Sequence, residues 1–109
     1  MADTLKILGQ LATAATTEAT LYTVPAATSA IVSTLTVCNR GTSATTFRIA
    51  FDQGGGGVAT KDYLYYDHPI RANETFAATM GITLAATDLV RVYAGNSDLT
   101  FQAFGLERA

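Results

Sequence analysis

Apolar and polar residues alternate with a period of two through most of the chain, and almost nowhere with the period of a helix. Between Ser29 and Arg40, Ile31, Leu35 and Val37 share one parity while Val32, Thr34, Thr36 and Cys38 share the other. Most are β-branched, so the pattern predicts a central strand, apolar on one face and Thr-lined on the other. Thr46 to Asp52 repeats the device, with Phe47, Ile49 and Phe51 on one face and Thr46, Arg48 and Ala50 on the other. The intervening Asn39-Arg40-Gly41-Thr42-Ser43 is turn chemistry, which predicts that the two strands pair as a hairpin.

Six further candidate strands follow the same reading: Leu5 to Leu11, Ala19 to Val24, Asp62 to Tyr66, Glu74 to Thr79, Asp88 to Ala94 and Leu99 to Leu106. Breaks fall at Pro25-Ala26-Ala27-Thr28, the glycine run 54–57, His68-Pro69, the stretch around Gly81, and Gly95-Asn96-Ser97-Asp98. Eight short strands separated by turns predict an all-β, single-domain β-sandwich with a jelly-roll-like arrangement, not a parallel α/β sheet. The sandwich occupies residues 21–109. Residues 1–20 read either as an edge strand or as an N-terminal arm that lays Leu5, Ile7 and Leu8 on a neighbouring subunit.

Composition sharpens this picture. A chain of 109 residues supports one modest core. Charged residues make up 15%, against ~25% in typical soluble domains, while hydrophobic residues make up 49%. Surface so poor in charge predicts coverage by neighbours, and hence a homo-oligomer. The net charge is −2 and the seven basic residues are scattered, so there is no electrostatic footprint for nucleic acid. The only cysteine, Cys38, excludes an intrachain disulfide and reads as a small core residue. The opening MADTLKILGQLA carries an early acid and no long apolar run, so it reads neither as a secretory leader nor as a membrane span. The expected place of synthesis is a reducing cytosol.

Candidate chemistry is sparse. Gly54 to Ala59, GGGGVA, matches the G-x-G-x-x-G/A pattern of a dinucleotide-binding turn; a strand precedes it and Glu74 follows at the spacing of a ribose-binding acid. The required helix is missing, because VATKDYLYYDHP clusters β-formers and soon reaches Pro69. Without a helix N-terminus there is no row of free amides for a pyrophosphate, so the run reads as a flexible loop tip and no cofactor is expected. His68, the only histidine, reads as a surface turn residue; no partners for a zinc site or a nucleophilic triad stand in a recognisable pattern. No catalytic or metal-binding residue is therefore assigned, and an enzyme is not expected.

The stretch Tyr63-Leu64-Tyr65-Tyr66 follows the glycine tip. Two arrangements are compatible with it. Tyr63, Tyr65 and Tyr66 form a contact edge, as tyrosines do at interfaces, or Leu64 packs inward while Tyr63 and Tyr65 shield the far side of the sheet. An aromatic edge of this kind also suits stacking on sugars, which makes a carbohydrate- or receptor-binding sandwich an alternative reading.

Several short motifs add a resemblance. They are Y-T-V-P-A at Tyr22 to Ala26, C-N-R-G at Cys38 to Gly41, E-T-F at Glu74 to Phe76, and G-I-x-L-x-x-x-D-x-V-x-V-Y-A at Gly81 to Ala94. With the segments around them, Leu21 to Phe51 and Ala72 to Ala109, they resemble a group of small all-β structural proteins of tailed bacteriophages. The resemblance implies a virion component made in the host cytoplasm: a decoration (cement) protein on the capsid exterior, or a small tail, baseplate or fibre protein. It also implies symmetric oligomers, commonly trimers, with the major capsid protein or another virion protein as partner, and neither nucleic acid nor membrane. No catalytic residue is carried over. Pro25 starts a strand, Gly41 permits a turn, and Gly81 with Asp88 brackets a loop. One departure is Ala27-Thr28, where the family pattern often places Gly-Thr.

Overall fold

The computed structural model describes residues 3–109. Eight strands follow in chain order: β1 (Asp3–Ala12), β2 (Ala19–Thr23), β3 (Ser29–Asn39), β4 (Thr45–Asp52), β5 (Tyr63–Ile70), β6 (Thr75–Leu84), β7 (Leu89–Ala94) and β8 (Leu99–Arg108). Two single 3₁₀ turns, Gln53–Gly55 and Thr60–Asp62, lie between β4 and β5, and the described residues contain no α-helix. The strands form two four-stranded sheets, the first in the order β1-β8-β3-β6 and the second in the order β2-β7-β4-β5. All pairings are antiparallel.

Each strand of the first half meets its counterpart from the second: β1 with β8, β2 with β7, β3 with β6 and β4 with β5. The chain is thus one long hairpin folded in half and then rolled, with β3 pairing β8 and β4 pairing β7 to complete the two sheets. This connectivity fits a jelly-roll-like β-sandwich. The core lies between the sheets, where Leu35, Val37, Leu99 and Phe101 of the first face Phe47, Ile49, Val90 and Val92 of the second. Phe47 and Phe101 meet edge-on across the interior at 6.3 Å.

All eight predicted strands are present, but the β3–β4 hairpin is not. β3 belongs to the first sheet and β4 to the second, so Arg40 to Ala44 crosses between layers instead of turning back within one. Asn39 fixes this corner. Fully buried, its side-chain amide donates to the carbonyls of Ser43 (2.9 Å) and Arg71 (3.0 Å), while its Oδ1 accepts from the Gly41 N–H (2.9 Å). Turn residues bend a chain equally well in either sense, and the pairing partner is chosen by burial elsewhere.

β-Bulges explain the remaining departures. A bulge at Ser33 separates Val32 from Thr34 and reverses the parity of β3: Val32 is buried and Ile31 is turned outward, opposite to the expectation from simple alternation. Beyond the bulge Cys38 is half-buried on the Thr-lined outer face and is not a core residue. β6 runs through the break expected at Gly81, and β5 runs through His68-Pro69. Proline is tolerated there because β5 is an edge strand. His68 is half-buried among aromatic rings, 5.2 Å from Phe47, 5.4 Å from Tyr65 and 4.9 Å from Phe76, and is not a surface turn residue.

The segment 1–20, residues 1 and 2 of which lie outside the described residues, includes β1 as an edge strand on β8 of the same chain. At one end of the sandwich Tyr22 of β2 donates its hydroxyl to Glu107 of β8, which also accepts from Lys6 Nζ of β1 at 3.1 Å. These contacts clasp the two sheets. The Tyr22 hydroxyl and the Lys6 ammonium hold the Glu107 carboxyl below its ordinary range, while burial and the carboxylate push the Tyr22 hydroxyl well above its own.

Candidate functional site

The two outer faces of the sandwich differ in chemistry. On the first sheet the register aligns Leu5, Leu106 and Ile31 in one row across β1, β8 and β3, with Ile7 and Phe104 paired beside it. Leu5 is 82% exposed and Ile7 52%, in a chain whose core holds residues such as Val32 and Phe101 at 0%. Asp3 and Arg108 flank the row as an ion pair at 2.7 Å, so no uncompensated charge faces outward at that end. Elsewhere this face carries mostly small or neutral polar residues, with Gln10 and Gln102 hydrogen-bonded to each other at 3.2 Å, and at its far end Arg40 donates to Thr100 Oγ1 at 2.8 Å.

Of the three residues expected to touch a neighbour from the N-terminal segment, Leu5 and Ile7 lie on this face. Leu8 does not. It sits in a bulge between Ile7 and Gly9 and is 8% exposed in the core. Sequence reasoning misses Ile31, Phe104 and Leu106, although Phe104 and Leu106 share the parity of Gln102 in β8. The reversal at Ser33 hides Ile31.

Tyr63, Tyr65 and Tyr66 belong to the second sheet, on the far side of the sandwich from Leu5 and Ile7, so the two expected contact groups are not brought together. The tyrosines themselves are divided. Register shifts along β5, around Leu64 and across Tyr66-Asp67, break the alternation. Tyr65 turns inward against Phe47 (6.0 Å) and Phe76 (5.1 Å), whereas Leu64 is 40% exposed. Neither expected arrangement is therefore realised in full. Tyr63 and Tyr66 remain as an edge-on pair, 4.9 Å apart, beside the outer face of β4 and β7.

Arg48 of β4 organises that face. Its guanidinium lies between the rings of Tyr66 (4.2 Å) and Tyr93 (4.3 Å), and donates from Nε and Nη2 to the Asp67 carboxylate at 2.7 and 3.3 Å. Asp67 reaches this position from left-handed backbone, φ 50°, inside the bulged segment. Arg91 of β7 is held from the other side by the buried carboxylate of Asp52 at 3.3 Å. A small cavity of about 130 Å³ lies over these arginines, and Val58 and Tyr63 shape both it and a neighbouring open shelf of about 450 Å³.

The glycine run leads into Val58 on the wall of this groove and is not a slack tip. Gly57 donates its N–H to both oxygens of Asp52 (3.1 and 3.2 Å), and Gly54 donates to Asp88 Oδ1 (2.9 Å). Asp88 Oδ2 in turn accepts from the Ala85 N–H at 2.9 Å. Positive φ at Gly54, Gly55 and Gly57 (74°, 78° and 109°) lets these amides turn onto the carboxylates. The amides of GGGGVA do bind anions, but the anions belong to the protein, and only a 3₁₀ turn accompanies them. Arg48, Arg91 and Tyr93 are absent from the residues that the sequence alone singles out. Their signal is chemical: two arginines placed mid-strand in a chain with so little charge.

Among the described residues no group of three or more His, Cys, Asp or Glu side chains is placed to hold a metal ion, and no helix is long and apolar enough to cross a membrane. No protein-family model matches this chain, and a search of curated proteins finds no match.

Proposed function

We propose that the chain is a non-enzymatic structural protein of a phage virion, a decoration subunit that assembles as a homo-oligomer on the head and reinforces it. The observation that carries this reading is the outward row Leu5, Leu106 and Ile31 with Ile7 and Phe104 beside it, on a four-stranded sheet with the Asp3–Arg108 ion pair flanking the row. Apolar side chains exposed contiguously on a flat face favour burial against another protein. Covering a Leu or Ile side chain contributes roughly 1.5–3 kcal/mol, so a few such residues suffice to hold a subunit on a repeating surface where many copies act together. The motifs that resemble those of small phage structural proteins support a phage particle as the setting, and trimers are the expected assembly.

The test is incorporation of the double variant Leu5→Lys/Ile7→Lys into particles. Both positions are exposed, so its melting temperature should stay close to that of the parent protein. The variant should fail to be retained on heads, and heads lacking the protein should lose genome on heating. Normal retention would overturn the role given to this face. Recovery of the tagged chain in tails instead of heads would move the protein to the tail, baseplate or fibre apparatus.

A further inference from the structure

We propose that the groove over the second sheet is a binding site for a neutral saccharide, a function separate from the apolar face of the first sheet. Tyr63 and Tyr66, edge-on to each other, form the side of an open shelf whose opposite wall is Val58 to Thr60. Its volume of about 450 Å³ lies in the ~300–1,000 Å³ range of small-molecule sites. An aromatic face carries negative charge density, and the polarised C–H bonds on one side of a pyranose ring present the positive edge that such a face attracts.

The deeper cavity beside the shelf supplies the polar half. The ion pair to Asp67 uses Nε and Nη2 of Arg48, leaving Nη1 without a hydrogen-bond acceptor among the described residues. Glu18, exposed before β2, lines the same cavity and takes part in none of the ion pairs among the described residues. A donor and an acceptor on one small cavity match adjacent hydroxyls of a sugar, each of which donates one hydrogen bond and accepts others.

Charge narrows the class further. Arg48 is balanced by Asp67 and Arg91 by Asp52, so Glu18 leaves this face weakly negative. An anionic ligand would meet that charge, and Glu18, the one carboxylate lining the cavity, gives a cationic ligand a single exposed partner. A neutral polyol needs no charge partner.

The groove is also held in shape before any ligand arrives. Arg48 is fixed by two rings and a carboxylate, and the wall at Val58 is anchored through Gly57 to Asp52. A site that needs little ordering loses less affinity to entropy.

The test is a titration of the full ¹⁵N-labelled chain with the methyl glycosides of glucose, galactose, mannose and N-acetylglucosamine, with N-acetylneuraminic acid and lysine methyl ester as the anionic and cationic arms. At least one neutral glycoside should shift the amides of Val58 to Tyr66 and their neighbours around Arg48 and Arg91, with a Kd of about 1–10 mM. Tyr63→Ala should weaken that binding about tenfold. Should Tyr63→Ala disturb the fold, Glu18→Ala decides the matter, since it lies on an exposed loop and should also weaken binding severalfold. The proposal is overturned by silence of the groove amides toward every neutral glycoside at about ten times that Kd range, by response only to the charged arms, or by variants that bind as the parent does. Head retention reads the opposite face, so the two proposals fail independently.

Discussion

Ala27 and Thr87 hold left-handed backbone, φ 55° and 70°, that glycine or asparagine adopts at lower cost. The turn after Pro25 forms nonetheless, at the expense of strain. Left-handed geometry costs a non-glycine residue roughly 1–2 kcal/mol, while glycine adds about 0.5–1 kcal/mol of unfolded-state entropy, so strain outweighs entropy. Ala27→Gly should therefore stabilise the fold by about 0.5 kcal/mol in urea denaturation. Thr87→Gly should gain more, because a β-branched side chain suffers most in this region. Unchanged or lowered stability at both positions would contradict the strain at these turns. Single residues also mark where a sequence pattern is ambiguous. Asn39 has the chemistry of a hairpin turn, yet its three hydrogen bonds serve a crossing between sheets, and no local pattern separates the two uses.

At the scale of elements, close approach between strands depends on missing side chains. A Cβ on Gly105 of β8 would run into the Ile31 carbonyl of β3, next to the Ser33 bulge, where the partner is backbone and cannot yield. Gly105→Ala should cost about 2–4 kcal/mol, read as a fall in the denaturation midpoint with the slope unchanged. Bulges also account for most of what alternation could not foretell. Strand positions were legible because β-branched runs and turn residues recur regularly; the faces were not, because one extra residue at Leu8 or Ser33 reverses everything that follows. The division of the tyrosines in β5 has the same origin. The order imposed on the glycine run was hidden for a different reason: Asp88, which captures the Gly54 amide, comes beside it only after folding, and Asp52 reaches the Gly57 amide only through the left-handed backbone of the glycines between them.

The molecule as a whole is a flattened body of 45 × 27 × 20 Å with an apolar face and a polar, grooved face back to back. The clasp of Tyr22 and Glu107 ties those layers, and its titration sets limits on the intact fold. Glu107 titrates lower in the folded protein than its ordinary 4.5, so its contribution is present above that value and is lost as pH falls through the lower folded value. Tyr22 titrates higher than its ordinary 10, so its contribution is complete below pH 10 and is lost as pH climbs toward the raised folded value. Tyr22→Phe should lower stability by about 1.5 kcal/mol at neutral pH and flatten both limbs of the stability–pH curve relative to the parent. Parallel curves for the two proteins would mean that the clasp governs neither limb.

The rolled hairpin has one more consequence, for synthesis. β8 lies between β1 and β3, so the first sheet lacks an inner member until the last of the eight strands has left the ribosome. At ordinary translation speeds of ~5–20 residues per second, β1 and β3 wait several seconds with their pairing edges open. The first sheet is therefore completed only after β8 has emerged, and a nascent chain that stalls before Leu99 presents unpaired strands to the cell's chaperones instead of a partly finished sandwich.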